Sequence, residues 1–483
     1  MDLSKSKSVL PQNSEINLDN LISEEKKLTS KVKTNDEIFA HIIKNFTEIN
    51  FPKEVGVDSE KKVRKKDELV VIVDHLISKA KKLNLNLGSL DEIFYVYNKS
   101  FWSQVDKAEL QDFLAKIAKQ SGLNKTDANY YRFKNNLVEQ FESSSRLKKK
   151  AKSKTLINLS NGTLEIDSKN FRLRDYSPDD FLTYRLNFDF DQNTNAPQFQ
   201  KFLDEVLPDQ SLQNILSEYI GSVFIPNSEL KLEKALFLYG TGANGKSVVF
   251  EVIQALFGES NLTSLSLNKL TTCPNSRLQI QNKLLNYSSE VGEVGDLDMF
   301  KKLTSREPVD VKSLFKNITH MYNYARLMFN CNDFPKRNEF TAGYFRRFLF
   351  IPFENTIPEH KQDKSLATKI IDTELSGVFN WILAGMKRLY KNGNFSDSKK
   401  SDEFSKKFRL ESDSVMMFKE EYELIPSEYE VKLMELYLKY KEFCYANGFR
   451  PCARNTFATR LVAIGFEKKR KNIGNVFYLS LKN

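Results

Sequence analysis

The sequence is poor in the residues that staple or anchor a chain. Its 483 residues include four cysteines, Cys273, Cys331, Cys444 and Cys452, with no C-x-x-C pair among them. Its four histidines do not cluster with the cysteines. This argues against a zinc site or a disulfide framework and fits a reducing compartment. The opening MDLSKSKSVLPQ lacks the apolar core of a secretory signal. No run of 18 or more apolar residues occurs, and the nearest, 69–77, is broken by Asp74 and His75. A membrane span is not expected, and a cytoplasmic protein, in a bacterial host, is. Clustered acids are scarce as well. Asp189 and Asp191 form a D-x-D with no third acid or histidine nearby, so a two-metal polymerising centre is not expected.

What the chain does have is bulk and positive charge. Hydrophobic residues make up 40% and aromatics 12%, enough for large cores. Lys and Arg outnumber Asp and Glu by 73 to 63, a formal net charge of +10. That balance favours an anionic partner. The length predicts several domains.

Residues 1–65 read as a polar, loosely ordered leader, and 66–150 as a mainly helical N-terminal region. Within it, a helix over 67–85 has Asp67 as N-cap, and FYVYNKSFW (94–102) turns at Asn98-Lys99 as a hairpin. The stretch 143–154 holds six basic residues and no acid, equally a solvated linker or a DNA-contacting strip. An accessory domain follows over 155–225, starting with strands around Asn161-Gly162. Residues 226–392 form the central domain, with Trp381 facing inward. Residues 393–408 (GNFSDSKKSDEFSKKF) read as a linker, and 409–483 as a separate small domain.

The central domain is organised by LFLYGTGANGKSVV (236–249). A buried strand runs to Tyr239. A glycine loop follows, and helical spacing begins at Val248. Strand, G-x-x-x-x-G-K-S and helix in that order point to a phosphate-binding loop. Gly240, Thr241, Gly242, Ala243, Asn244, Gly245, Lys246, Ser247 and Val248 would cradle a nucleoside triphosphate, converging backbone N–H groups on it. Lys246 would reach the outer phosphates and Ser247 would hold Mg²⁺. Such a loop needs an acid at the end of a neighbouring strand. KLLNYSSE (283–290) offers Glu290, with Glu293 second; the alternative is an ordinary surface glutamate. RLMFNCNDFP (326–335) places Asn332 at a strand tip, where an amide can orient water. GYFRRFLFIPF (343–353) offers Arg346 and Arg347, either of which could reach a neighbouring subunit's phosphates or form a structural salt bridge.

In this order, GTGANGKS, NYSSE, KKLTSREPVDVKSLFKN, MFNCNDFP and YFRRFLFIPF resemble the superfamily 3 helicases, and among them the poxvirus-type and phage or plasmid primase-helicase branch. The resemblance spans about residues 90–395. It implies a multidomain α/β protein whose AAA+ type core has a mostly parallel sheet. It further implies an ATP- and Mg²⁺-dependent ring, usually a hexamer, moving 3′ to 5′ on one DNA strand. Lys246, Ser247, Glu290 and Asn332 take the nucleotide-site roles, and Arg346 or Arg347 the finger. Lys312, Lys316 and His320 fall in the block that contacts DNA in the channel. The family often has glycines where Ser305-Arg306 stands here, which leaves that turn open. Larger relatives add a primase; this chain lacks its acids, so a separate primase or initiator is an expected partner.

The last domain reads as two helices, 431–447 and 454–464, then a hairpin tipped by KKRKN, the pattern of a winged helix. Arg454 and Arg460 would enter a groove of duplex or origin DNA, and Lys468, Lys469, Arg470 and Lys471 would touch phosphates; the alternative is a protein-docking domain. Two further functions stay open: an origin-binding initiator with little processive unwinding, and a packaging or remodelling ATPase.

Overall fold

Asparagine turns the chain at Asn98-Lys99 because its side chain can replace a backbone acceptor. In the computed structural model, Asn98 Oδ1 accepts from the N–H groups of Ser100 and Phe101 at 3.1 and 2.9 Å. Lys99 takes a left-handed backbone, φ 72°. The structure describes residues 34–58, 62–148, 154–166, 171–289, 291, 294–313, 317–334, 342–472 and 474–481. They divide into two units, one of Met1–Ala151, Gly162–Leu164 and Leu173–Arg185, the other of Lys152–Asn161, Glu165–Arg172 and Leu186–Asn483.

In the first unit, Asn86–Leu90 (β1), Ile93–Tyr97 (β2) and Trp102–Val105 (β3) form an antiparallel sheet in that order. The hairpin is as expected; β1 was not anticipated. The expected loosely ordered leader is corrected over 34–58, which holds the helices Asn35–Asn45 and Phe51–Val55. Thr34 and Glu37 make a reciprocal capping box on the helix Asn35–Asn45. This helix buries Ile38, Phe39 and Ile42, and Phe39 stacks on Phe113 at 4.1 Å. Residues 1–33 and 59–61 of that leader lie outside the described residues. Asp67 is not an N-cap: it lies in the first turn of the helix Lys65–Lys82, 2.7 Å from the Arg64 guanidinium.

In the chain as it crosses into the second unit, Thr155–Leu159 (β4) and Gly162–Ile166 (β5) flank Asn161, and Phe171–Arg174 (β6) follows. Helices Pro197–Val206 and Gln210–Ser222 lead to Ala235–Tyr239 (β7). Then come Leu262–Thr263 (β8), Leu285–Ser288 (β9), Val309–Lys312 (β10), Ile318–Met321 (β11), Arg326–Cys331 (β12) and Phe348–Pro352 (β13). Five of them form a parallel sheet ordered β13-β7-β12-β9-β8. Their near-continuous apolar runs fit this placement, since a parallel sheet is covered on both faces. Phe237 stacks on Phe348 at 4.8 Å and on Phe329 at 5.3 Å across three strands. β10 and β11 form a separate hairpin, with Lys312 opposite Ile318.

A single helix, Leu366–Asn392, packs along Gln210–Ser222, and half-buried Trp381 meets Phe199 edge-on at 5.3 Å. The expected linker 393–408 is not one. Lys399–Glu411 is a helix, and Phe408 is fully buried against Phe348 at 4.7 Å and Phe350 at 5.1 Å. Beyond it, Ile425–Lys432 (β14) precedes helices Leu433–Ala446 and Arg454–Ala463, and Glu467–Lys471 (β15) pairs antiparallel with Gly474–Ser480 (β16). The sheet order is β14-β16-β15, and β14 was not anticipated. Among the described residues no helix is long and apolar enough to cross a membrane.

Candidate functional site

Ligands of open α/β sheets gather at the carboxyl ends of the strands. Here the ends of β7, β12 and β13 are tied together by backbone. Gly240 N–H donates to Cys331 O at 3.0 Å, and Phe353 N–H to Tyr239 O at 2.7 Å. The glycine loop between β7 and the helix Lys246–Phe257 is closed on its outer side by Ile357 N–H, which donates to Ala243 O at 2.8 Å. Gly242, Ala243 and Gly245 all have positive φ, 120°, 49° and 83°. Gly240 is dictated by space. A Cβ there would lie 2.0 Å from Asn244 Nδ2 and 2.7 Å from Phe353 O.

Lys246 is turned back into this loop. Its ammonium donates to Gly240 O at 2.5 Å and to Asn244 Oδ1 at 3.0 Å, and the residue is buried. Asn244 Nδ2 in turn donates to Phe353 O at 3.1 Å. Burial lowers the Lys246 pKa, while Cys331 opposes the shift. Burial drives the Cys331 thiol up to about 12, so it stays neutral beneath the lysine. A cation that has shed water and leans on two neutral oxygens is poised for a stronger, anionic acceptor. Thr241 and Ser247 are exposed beside it, and Val248 is half-buried.

Asn332 is exposed immediately after β12, the strand hydrogen-bonded directly to β7. β9, which leads to Glu290, is one strand farther out, because β12 lies between it and β7. The neighbouring-strand expectation for Glu290 is corrected to that extent. Glu290 and Glu293 themselves lie outside the described residues. Asn330 at the end of β12 accepts from Tyr287 Oη of β9 at 2.8 Å, locking the two strands.

The adjacent arginines separate. Arg346 is exposed and its Nη2 lies 3.0 Å from Glu233 Oε2. Arg347 is buried. It donates to Gly343 O, to Lys301 O at 3.4 Å and to Ser305 Oγ at 3.2 Å. Arg347 therefore clamps the helix Leu297–Ser305, which leaves Arg346 as the member of the pair that faces solvent. Glu233 carries no sequence signal of its role. Arg306 ends that helix in a left-handed backbone, φ 55°, and donates to Tyr324 O at 3.1 Å. It fills the turn that a glycine would otherwise supply.

On the β10–β11 hairpin, Lys312 and His320 are exposed, and His320 Nδ1 is 2.9 Å from Asp310 Oδ1. Lys316 lies outside the described residues. The hairpin base is pinned by buried Arg277, which donates to Asp310 O and to Thr271 O. In the last domain, two expectations change. Arg460 is engaged with Asp413, an acid that also caps the helix Ser414–Glu421, so it is a structural group rather than a groove contact. Lys468 to Lys471 lie along β15 rather than at the hairpin tip, all exposed. Lys469 pairs with Glu467 at 3.1 Å, and Lys471 pairs with Glu430. Arg454 is exposed, with Nη1 3.2 Å from Met434 Sδ.

Three family models match the chain: D5 N terminal like over residues 72–208, a family of unknown function (DUF5906) over 238–347, and poxvirus D5 protein-like over 410–483. Two of these three models are D5-like, one before and one after the central parallel sheet. The D5-like chain is similar to putative helicase 121R of Invertebrate iridescent virus 3, 22% identical over 335 residues, covering 61% of this chain and 35% of that protein. It is also similar to putative helicase L207/L206 of Acanthamoeba polyphaga mimivirus, 21% identical, covering 62% and 34%. The chain thus spans about a third of the length of these relatives. Among solved structures it is similar to the NrS-1 C-terminal region, 10% identical with a TM-score of 0.46, covering 84% of this chain and 98% of that one.

Proposed function

We propose that the D5-like chain is an ATP-dependent DNA helicase subunit for replication of a phage, plasmid or other mobile element, built on an AAA+ type core and acting as a homo-hexameric ring. The observation that carries this reading is the loop Gly240–Ser247, held at the joined carboxyl ends of β7, β12 and β13 with Lys246 buried at its centre. The left-handed turn at Gly242, Ala243 and Gly245 and the helix N-terminus that follows it fit a phosphate. Nucleotide phosphates would replace Gly240 O and Asn244 Oδ1 as acceptors for Lys246. Ser247, with Glu290, would hold Mg²⁺, which supplies charge neutralisation at the outer phosphates. Asn332 would orient water, and Arg346 would serve a neighbouring subunit's site. Lys312 and His320, with Lys316, would meet a single strand in the channel, moving 3′ to 5′. The C-terminal domain reads as a winged helix placing Arg454, Lys468, Lys469, Arg470 and Lys471 on duplex or origin DNA.

The test is ATP hydrolysis and strand separation on tailed duplexes, wild type against Lys246→Ala. The expected result is unwinding of the 3′-tailed duplex that vanishes with Lys246. DNA-stimulated hydrolysis without unwinding would transfer the reading to an origin-binding initiator. No hydrolysis by folded wild type would remove the loop's assignment.

A further inference from the structure

The helix Leu433–Ala446 buries Leu436, Tyr440, Phe443 and Cys444 in the C-terminal core. Its other face carries Met434, Leu438, Lys441 and Tyr445, which at 100° per residue fall within about 60° of one another. Tyr445 is 66% exposed, Met434 52% and Leu438 47%. After the helix the chain turns at Gly448, φ 71°. Residues 449–451 then form the far wall of an open cavity of about 710 Å³, lined by Tyr437, Lys441, Tyr445, Phe449, Arg450 and Pro451.

This cavity has a fixed floor and a charged rim. Tyr437 Oη donates to Cys452 O at 2.9 Å, which holds its ring in place. Phe449 N–H donates to Cys444 O at 2.7 Å, and its ring lies 15° from parallel to Phe443 at 6.3 Å. The Lys441 ammonium sits 6.0 Å from the Tyr445 ring centre. Two of the lining residues are cations and none is an acid. Glu442, the adjacent helix acid, projects about 100° round the helix from Lys441. The exposed Tyr445 face, flanked by cations above half-buried Tyr437, suits a flat π-system carrying phosphate on either side. It matches an aliphatic or acidic peptide less well.

We propose that this cavity binds an unpaired stretch of nucleic acid, with a base stacked on Tyr445 and the flanking phosphates met by Lys441 and Arg450. Stacking of this kind tolerates any base, because every base has a π-face, and the cations track the backbone. The site is distinct from the glycine loop, from the β10–β11 hairpin and from the basic strand β15. It does not depend on nucleotide hydrolysis.

The full chain, irradiated with a thymidine oligomer carrying 5-iododeoxyuridine, should form an adduct within residues 437–451, located by peptide mass spectrometry. Unlabelled single strand should compete and duplex should not, and the adduct should persist in Lys246→Ala. Tyr445→Ala should reduce its yield about tenfold, as expected for a lost stacking partner, while Tyr445→Trp retains it. Lys441→Gln combined with Arg450→Gln should flatten the salt dependence of adduct formation. Adducts confined to other segments, or a yield unchanged by Tyr445→Ala, would overturn the proposal. So would a change in oligomeric mass in Tyr445→Ala with nucleic-acid adducts intact, which would assign the groove to a protein contact.

Discussion

Arg347 Nη2 donates to Ser305 Oγ at 3.2 Å, and through this bond the arginine beside Arg346 grips the helix that leads into the β10–β11 hairpin. Glu233 lies between the two guanidiniums, 3.0 Å from Arg346 and 4.0 Å from Arg347. One arginine is therefore committed to the interior and the other to the surface, and the two substitutions should separate cleanly. Arg347→Ala removes the donor to the buried Ser305 hydroxyl and to Gly343 O, at about 1–3 kcal/mol for each group that stays dry, and should lower the unfolding midpoint. Arg346→Ala should leave the midpoint in place, since an exposed pair contributes little. It should reduce ATP turnover by a factor on the order of a thousand if it acts as a finger. Equal loss of stability in both variants would sink the distinction.

Gly240 and Lys246 test the loop from two sides. Gly240→Ala puts a methyl 2.0 Å from Asn244 Nδ2 and 2.7 Å from Phe353 O, a backbone atom fixed by the end of β13. The loop has to open, so nucleotide affinity should fall even though Lys246 remains. Lys246→Ala leaves the loop closed and removes the cation, and hydrolysis should drop on the order of a hundredfold or more. Calorimetric titration with a non-hydrolysable ATP analogue reads the first, and phosphate release reads the second. Unchanged affinity in Gly240→Ala would mean that phosphates do not enter here.

Phe408 should behave as a core residue of the sheet domain. It lies 4.7 Å from Phe348 and 5.1 Å from both Phe350 and Phe334. Phe408→Ala should cost about 3–5 kcal/mol, measured by urea unfolding, while Lys399→Ala on the exposed start of the same helix should cost little. A loss below about 1 kcal/mol in Phe408→Ala would return 393–408 to the role of linker.

That segment shows where the sequence is hard to read. GNFSDSKKSDEFSKKF has only Phe404 and Phe408 at helical spacing, and the surrounding lysines and serines swamp them, yet two phenyl rings suffice to dock it. Thr34 and Glu37 carried a readable capping box, but the polarity of the preceding residues hid it. The strand–loop–helix around Lys246 was legible because continuous apolar runs and a glycine loop are both local signals. Strand order was not: nothing in the sequence places β12 between β7 and β9, since that depends on crossovers rather than on neighbours in the chain. The roles of Glu233 and Asp413 are not legible for the same reason, as their arginine partners are 113 residues (Arg346) and 47 residues (Arg460) along the chain.

Arg460 and Lys468 should part company in the same way. Arg460 and Asp413 form an ion pair with 14% and 12% of their side-chain surface exposed, and Asp413 also accepts from Val415 N–H at 2.9 Å and Met416 N–H at 2.8 Å. Arg460→Ala leaves that carboxylate without its cation, a loss of about 3 kcal/mol for a buried pair broken on one side. The C-terminal residues should then lose hydrogen-exchange protection, with any change in DNA affinity following from unfolding. Lys468 and Arg470 lie on alternate positions of the exposed edge strand β15. Lys468→Gln and Arg470→Gln should leave exchange protection intact and weaken duplex binding. Each should reduce the slope of log affinity against log salt by about one. A salt slope unmoved by both substitutions would remove β15 from the duplex contact and leave Arg454 as the basic residue to test next.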